Sequence, residues 1–330
     1  MSSTPLESES NLKKCLLSGI KPTGRIHIGN YFGALKQFVE LQEEYNAFIM
    51  IANLHALTSL PTKKEMIDDT HNLVLDYLGA GLDPTKVTLF KQSDVPAHAN
   101  LTWIFNNLVT IPYLERTHAF KDAENKKKEV NVGTFIYPVL MSSDILLYNT
   151  DVVPVGKDQK QHVEYARDIA GKFNNQYGEL FKLPKDLIIE SVEIVPGTDG
   201  QKMSKSYGNT IPLFGSDDEI TKAVMSITTD SRDKDEEKNP DELVLYQIHK
   251  LFNPTDELRT NYSKGLGYGD AKKMLIKDII NFVTPMRERR KKYENDPELV
   301  REILLSGAIR ANEVAMKKLT EVYESIGLTE

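Results

Sequence analysis

Two short stretches hold residues able to do chemistry. Pro22-Thr23-Gly24-Arg25-Ile26-His27-Ile28-Gly29-Asn30 lies near the start of the chain, and Lys202-Met203-Ser204-Lys205-Ser206 far downstream. The first joins a predicted strand to a predicted helix. Its glycines let backbone N–H groups approach a phosphate, and the helix N-terminus adds partial positive charge. His27 and Asn30 put side-chain donors beside those amides. The second stretch sets two lysines three residues apart in a loop rich in small side chains, where ammonium groups can reach a polyphosphate. This set stabilises negative charge and supplies neither nucleophile nor base. That suits phosphoryl or nucleotidyl transfer, where positioning and electrostatics do most of the catalysis. Gly24 to Asn30 lacks the closing Gly-Lys-Ser/Thr of a Walker loop, which argues against a kinase of that class. In this order the two stretches point to an enzyme that binds ATP and works at its α-phosphate.

These loops need a scaffold, and the pattern around them supplies one. Lys13 to Ser18 holds the apolar run Cys15-Leu16-Leu17, Ala47 to Ala52 is continuously apolar, and Val87 to Phe90 is a further short strand. Between them, Asn30 to Tyr45 has Phe32, Leu35 and Val39 at helical spacing. Thr62-Lys63-Lys64-Glu65 is a capping box, opening a helix with Ile67, Val74 and Leu78 on one face. Strands alternating with helices predict a parallel sheet covered on both sides, a Rossmann-like α/β domain. Ligands in such folds sit beyond the carboxyl ends of the strands, where the first loop, His55 and the segment Asp144 to Asp158 would fall. Ala97 to Thr134 reads as a helical insertion, and Ile188 to Val195 as the next strand. After Asn209 the pattern becomes mainly helical: Ser216 to Ile227, Asp241 to Phe252, Ala271 to Lys292 and Pro297 to Ile326, with Pro285 expected to kink or end the third. The expected organisation is a loose tail at 1–12, a catalytic domain at 13–210 with its insertion at about 97–134, and an all-α domain at 211–330.

The bulk properties bound the partners. With 330 residues the chain can bury a large core, and 40% hydrophobic with 27% charged residues is ordinary for a globular protein. No apolar run has the length of a membrane span and the acidic start is unlike a secretory signal, so a cytoplasmic protein is expected, with no membrane partner. Cys15 is the single cysteine, which rules out an internal disulfide and a cysteine-based zinc site. The net charge of −7 argues against a non-specific nucleic-acid coat. It leaves room for a local basic surface at Lys126-Lys127-Lys128 or Arg287 to Lys292, although a solvated helix face is the plainer reading of each.

His27-Ile28-Gly29-Asn30 resembles the first signature of the class I aminoacyl-tRNA synthetases, and Lys202 to Ser206 matches their second letter for letter. Ser18 to Gly24, Gly29-Asn30-Tyr31, Phe38 to Gln42, Asp144 to Asp151 and Val153 to His162 are similar to the bacterial tryptophanyl-tRNA synthetases. The resemblance covers roughly Lys13 to Leu328. It implies a tryptophan–tRNA ligase: ATP and L-tryptophan give tryptophanyl-adenylate and pyrophosphate, and tRNA(Trp) then takes the tryptophanyl group. It implies catalytic roles for His27, Asn30, Lys202 and Lys205. It places ATP on Lys21, Pro22, Thr23, Gly29, Asn30, Gly156, Lys157, Asp158, Ile194 and Lys202-Met203-Ser204-Lys205-Ser206. It places tryptophan on Asp144, with Tyr137, Met141, His55, Val153, Val155 and Gln159 around it. An indole nitrogen is a donor only, so a pocket that selects it needs an acceptor such as Asp144. On spacing alone that residue reads as an N-cap or surface carboxylate. Mg2+ is implied only as a companion of ATP, with no metal site of the chain's own. A homodimer binding tRNA across both subunits, and anticodon contacts near Arg287 to Lys292, are implied too. Departures exist: Lys21 stands where several relatives have glutamine, and Ala123 replaces a phosphate-binding lysine. The competing readings are a tyrosyl-tRNA synthetase, a small-molecule adenylyltransferase of the same superfamily, and a non-catalytic paralogue that binds RNA or regulates.

Overall fold

The computed structural model describes residues 13–117, 120–121, 130–156, 160–188, 194–232 and 236–329. The expected tail at 1–12 therefore lies outside the described residues, as do Ala123 and Lys126-Lys127-Lys128.

Five strands, β1 (Cys15–Ile20), β2 (Asn46–Ile51), β3 (Val87–Lys91), β4 (Val152–Val155) and β5 (Lys185–Ile188), form one sheet in the order β3-β2-β1-β4-β5. Every neighbouring pair is parallel. The strand predicted at Ile188 to Val195 falls mostly on residues 189–193, outside the described residues, and β5 precedes it. Its register is set by β4, with Val152 opposite Lys185 and Val155 opposite Ile188. As an edge strand it tolerates the polar Lys185 and Asp186, which hid it in the sequence.

The helices, in chain order, begin with α1 (Ile28–Asn30), which passes through a π turn at Tyr31–Leu35 into α2 (Lys36–Leu41). There follow α3 (Asn53–Ala56), α4 (Lys63–Ala80), α5 (Ala97–Asn106), α6 (Ile111–Leu114), α7 (Val132–Leu147) and α8 (Lys160–Tyr177). The chain ends with α9 (Asp217–Met225), α10 (Val244–His249), α11 (Asp256–Ser263), α12 (Tyr268–Glu294) and α13 (Pro297–Ser325). No helix among the described residues is long and apolar enough to cross a membrane.

The capping box forms as read, with the Glu65 N–H donating to Thr62 Oγ1 and the Thr62 N–H to the Glu65 carboxylate. Val74 and Leu78 are buried, but Ile67 is 56% exposed. Burial in α4 is concentrated in its C-terminal half, Leu73 to Ala80, so the first turns stand clear of the core. Pro285 does not interrupt α12, which runs unbroken from Tyr268 to Glu294. Its ring faces solvent while Ile279, Val283 and Met286 are buried on the other side, so packing holds the helix through the missing hydrogen bond.

Alternation along β2 sorts the core onto two faces. Ala47, Ile49 and Ile51 join Leu16, Leu89, Val74, Leu78 and the α12 residues Leu275, Ile279 and Val283. Phe48 and Met50 join Leu17, Phe90, Leu101, Phe105, Ile145 and the α13 residues Ala311, Ala315 and Leu319. The two longest helices thus return from the end of the chain to cover the sheet. Gly307 makes the approach of α13 possible, because a Cβ there would lie 1.8 Å from the Leu89 carbonyl oxygen. Gly307→Ala is expected to destabilise the fold by about 1–3 kcal/mol through overpacking, read as a lower denaturation midpoint at unchanged m-value.

Candidate active site

Strand order reverses between β1 and β4, and the crevice at their carboxyl ends is where ligands lodge in open parallel sheets. A cavity of about 890 Å³ lies there. Its wall includes Leu17 to Gly19 from β1, Met50 from β2 and Val153 to Val155 from β4. Ten of the residues expected around the ligands line this one space: Lys21, His55, Tyr137, Met141, Asp144, Val153, Val155, Gly156, Ile194 and Lys202. Lys157, Asp158 and Gln159 lie outside the described residues.

Pro22, Thr23, His27, Gly29 and Asn30 belong to the first loop, and Met203, Ser204, Lys205 and Ser206 to the second; none of these is part of the cavity wall. The backbone joins the two regions. The Ile28 N–H donates to the Ile211 carbonyl (3.0 Å), and the Leu213 N–H donates to the Ile26 carbonyl (3.1 Å). Met203 is buried and packs beside Gly29, where a Cβ would come within 3.3 Å of the Met203 Cβ. It anchors the lysine loop in the core. Lys205 donates from Nζ to the Thr23 carbonyl, and the Ser204 and Ser206 hydroxyls meet at 2.8 Å. Asn209 organises the second loop from within: its Oδ1 accepts from the Ser204 N–H, and its Nδ2 donates to the Lys202 carbonyl and to Asp199. The sequence reading assigned Asn209 no role, since an asparagine after a small-residue loop has no distinguishing pattern.

His27 caps its helix. The Asn30 N–H donates to His27 Nδ1 (3.3 Å), and the His27 N–H donates to Asn30 Oδ1 (3.2 Å). With Nδ1 accepting, the imidazole is neutral and its donor is Nε2–H. Burial, helped by the Lys205 ammonium, lowers its pKa from 6.5 to about 4. The sign of the linkage follows. Stability from the neutral ring is full above 6.5 and is lost as pH falls through about 4. His27→Asn, which keeps a capping acceptor, is expected to flatten that part of a denaturation-against-pH series.

Asp144 lies in the last turn of α7 and is fully buried, so the surface-carboxylate reading of its spacing does not hold. Its Oδ1 accepts from His98 Nδ1 (2.6 Å) and Gln92 Nε2 (2.8 Å), and its Oδ2 from His55 Nε2 (2.8 Å). Burial pushes the carboxyl up, but the His98 and His55 imidazoles together outweigh it and hold it below the usual carboxylate range. Gln92 and His98 escaped the sequence reading. Gln92 follows the end of β3, where site residues gather, but nothing local separates it from a turn residue; His98 carries no signal. At the other side of the cavity Lys21 donates from Nζ to the Thr58 (2.9 Å) and Ser59 (2.8 Å) hydroxyls, and burial lowers its pKa.

One cavity thus holds a buried carboxylate gripped by three donors together with the cationic side chains of Lys21 and Lys202. A family model described as "tRNA synthetases class I (W and Y)" matches residues 10–284. The chain belongs to that family. It is 50% identical to the tryptophan–tRNA ligase of Fusobacterium nucleatum, over 94% of this chain and 97% of that one. The tryptophan–tRNA ligase of Rhodopirellula baltica is 45% identical, over 95% and 99%. The solved tryptophanyl-tRNA synthetase of Campylobacter jejuni complexed with ADP and tryptophan superposes with a TM-score of 0.88 at 42% identity, covering 95% of this chain and 99% of that one.

The basic run of α12, where the resemblance implies anticodon contacts for this class I synthetase, also has partners within the chain. Arg290 donates to Asp76 (2.8 Å) and Asn72 (2.9 Å) of α4, and Arg289 to the Gly79 carbonyl (3.0 Å). Arg287 donates to Asp217 (2.6 Å) and to the Gly215 carbonyl. Three guanidinium groups are therefore committed to docking the long helix on the α/β body. The run reads as basic in sequence because Asp217 and Asp76, which pair with Arg287 and Arg290, are seventy and more residues away.

Proposed function

We infer that the chain activates L-tryptophan with ATP and transfers it to the 3′ end of tRNA(Trp), the work of a tryptophan–tRNA ligase. The observation that carries this reading is Asp144: a fully buried, ionised acceptor in the same cavity as Lys202. In the first step a tryptophan carboxylate oxygen attacks the α-phosphorus, the bond from that phosphorus to the bridging oxygen breaks, and pyrophosphate leaves with the electron pair. His27 through Nε2–H, Asn30 through its amide NH2, and Lys202 and Lys205 stabilise the charge on the five-coordinate phosphorus and the leaving group. In the second step the 2′-hydroxyl of the terminal adenosine attacks the carbonyl carbon, and AMP leaves. Neither step calls on a general base of the protein.

Among the described residues no group of three His, Cys, Asp or Glu side chains could hold a metal ion. Magnesium is read as part of the substrate, arriving with ATP, where it would neutralise phosphate charge. The helical region after residue 210 is read as the anticodon-binding part, and the assembly as a homodimer, tested by sedimentation of the full chain with and without tRNA.

Amino-acid-dependent exchange of pyrophosphate into ATP, with tryptophan and tyrosine side by side, tests the reading. Exchange with tryptophan alone supports it. Exchange with tyrosine keeps the mechanism and overturns the specificity. No exchange with either, in folded protein, overturns the reading in favour of a non-catalytic paralogue.

A further inference from the structure

Asp144 is reached from two sides. Gln92 and His98 are fully buried, stand behind the cavity wall and take no part in lining it, and both donate to Oδ1. His55 belongs to the wall and donates to Oδ2. Oδ1 is thus clamped from the protein interior, and Oδ2 is held by a residue of the cavity wall. The clamp has its own support. His98 Nε2 lies 2.9 Å from the Tyr148 hydroxyl, and Gln92 Oε1 accepts from the Leu54 (3.0 Å) and His55 (3.4 Å) N–H groups. The Tyr148 ring is stacked on Phe48 with centroids 4.6 Å apart, and the His98 ring is stacked on Phe90 at 6.1 Å. Neither ring can turn without repacking the core.

One proton position follows from these partners. An ionised carboxylate only accepts, so His98 Nδ1 carries the proton that Asp144 receives. On the other side of the ring, Nε2 pairs with the Tyr148 hydroxyl. A carboxylate has about four lone-pair sites, and three are taken. One remains, on Oδ2.

We propose that His98, backed by Tyr148, is a positioning residue for amino-acid selection, holding Asp144 so that the remaining lone pair of Oδ2 meets the indole N–H of tryptophan. This rests on tryptophan being the substrate. A donor-only ring satisfies that corner completely. A phenol does not. Its hydroxyl can donate to Oδ2, but its own lone pairs then face His55 Nε2–H, which is already spent on the same oxygen. Without His98 the carboxylate can turn, His55 is released to donate elsewhere, and the penalty against a phenol shrinks.

The test begins with the unmodified chain, in which absence of tryptophan-dependent exchange would mean that the substrate reading itself has failed. Given exchange, His98→Leu is expected to raise KM for tryptophan about 10- to 100-fold, the worth of one charge-assisted hydrogen bond, with kcat and KM for ATP within about threefold. The ratio of tryptophan to tyrosine activation should fall with it. His98→Asn, whose amide NH2 can stand near the place of Nδ1–H, should recover most of the loss. A folded His98→Leu protein whose KM for tryptophan is within about twofold of the original overturns the proposal. So does a uniform loss in kcat and both KM values that asparagine does not rescue. Should His98→Leu fail to fold, Tyr148→Phe decides, because it removes one hydroxyl and keeps the ring. A rise of about three- to tenfold in KM for tryptophan alone supports the backing role of Tyr148, and an unchanged KM overturns it.

Discussion

Replacing Asp144 with asparagine is expected to raise KM for tryptophan about 10- to 100-fold while KM for ATP stays within about twofold. The substitution is nearly isosteric, so the effect is one of hydrogen-bond polarity. Three donors converge on this carboxylate. An amide has a single acceptor oxygen, so its NH2 must face at least one of those donors or displace it. Either way the indole N–H loses its ionised acceptor. Removing the side chain altogether is a different experiment. Asp144→Ala leaves the buried His98 and Gln92 with unanswered donors, at a cost of about 1–3 kcal/mol each. Urea denaturation distinguishes the two, and only the asparagine variant reports on selection.

Lys202→Met is expected to slow adenylate formation about 10²–10³-fold at saturating substrates, with KM for tryptophan changed less than about threefold. Lys202 is in the cavity wall with Asp144, so both ends of the reacting pair share one enclosure. Lys205 sits differently: its ammonium is bound to the Thr23 carbonyl of the other loop. Its remaining N–H groups can meet a phosphate, so Lys205→Met is expected to lower the rate by a similar factor and also to loosen the second loop from the first. Single-turnover kinetics with limited proteolysis of the loop, with and without ATP, separates these two effects.

The parts of this architecture that the sequence made legible share one property: they are local. The capping box at Thr62 and Glu65, the apolar run that became β2 and the two phosphate loops each carry their signal within a few residues. Asp144 could be placed only through the resemblance, because its significance lies in partners at positions 55, 92 and 98 that converge in space. The arginines of α12 show the same limit in reverse. Read locally, Arg287 to Lys292 is a basic patch; in the fold, three of its guanidinium groups face carboxylates and carbonyls of distant elements. β5 escaped notice because Lys185 and Asp186 leave it only a two-residue apolar run.

The contact of Gly307 with the Leu89 backbone also bears on how the protein is made. More than two hundred residues separate the two. While the chain is being synthesised, all five strands leave the ribosome long before α13 does. During that interval the face of the sheet carrying Phe90, and its neighbours Leu101 and Phe105, lack the cover that Ala311, Ala315 and Leu319 will give. The nucleotide-binding half is thus committed to waiting for the last thirty residues, with apolar surface open to wrong partners. A ribosome stalled before α13 should present a nascent chain that chaperones hold and proteases cut, and release should come only when the final helix emerges.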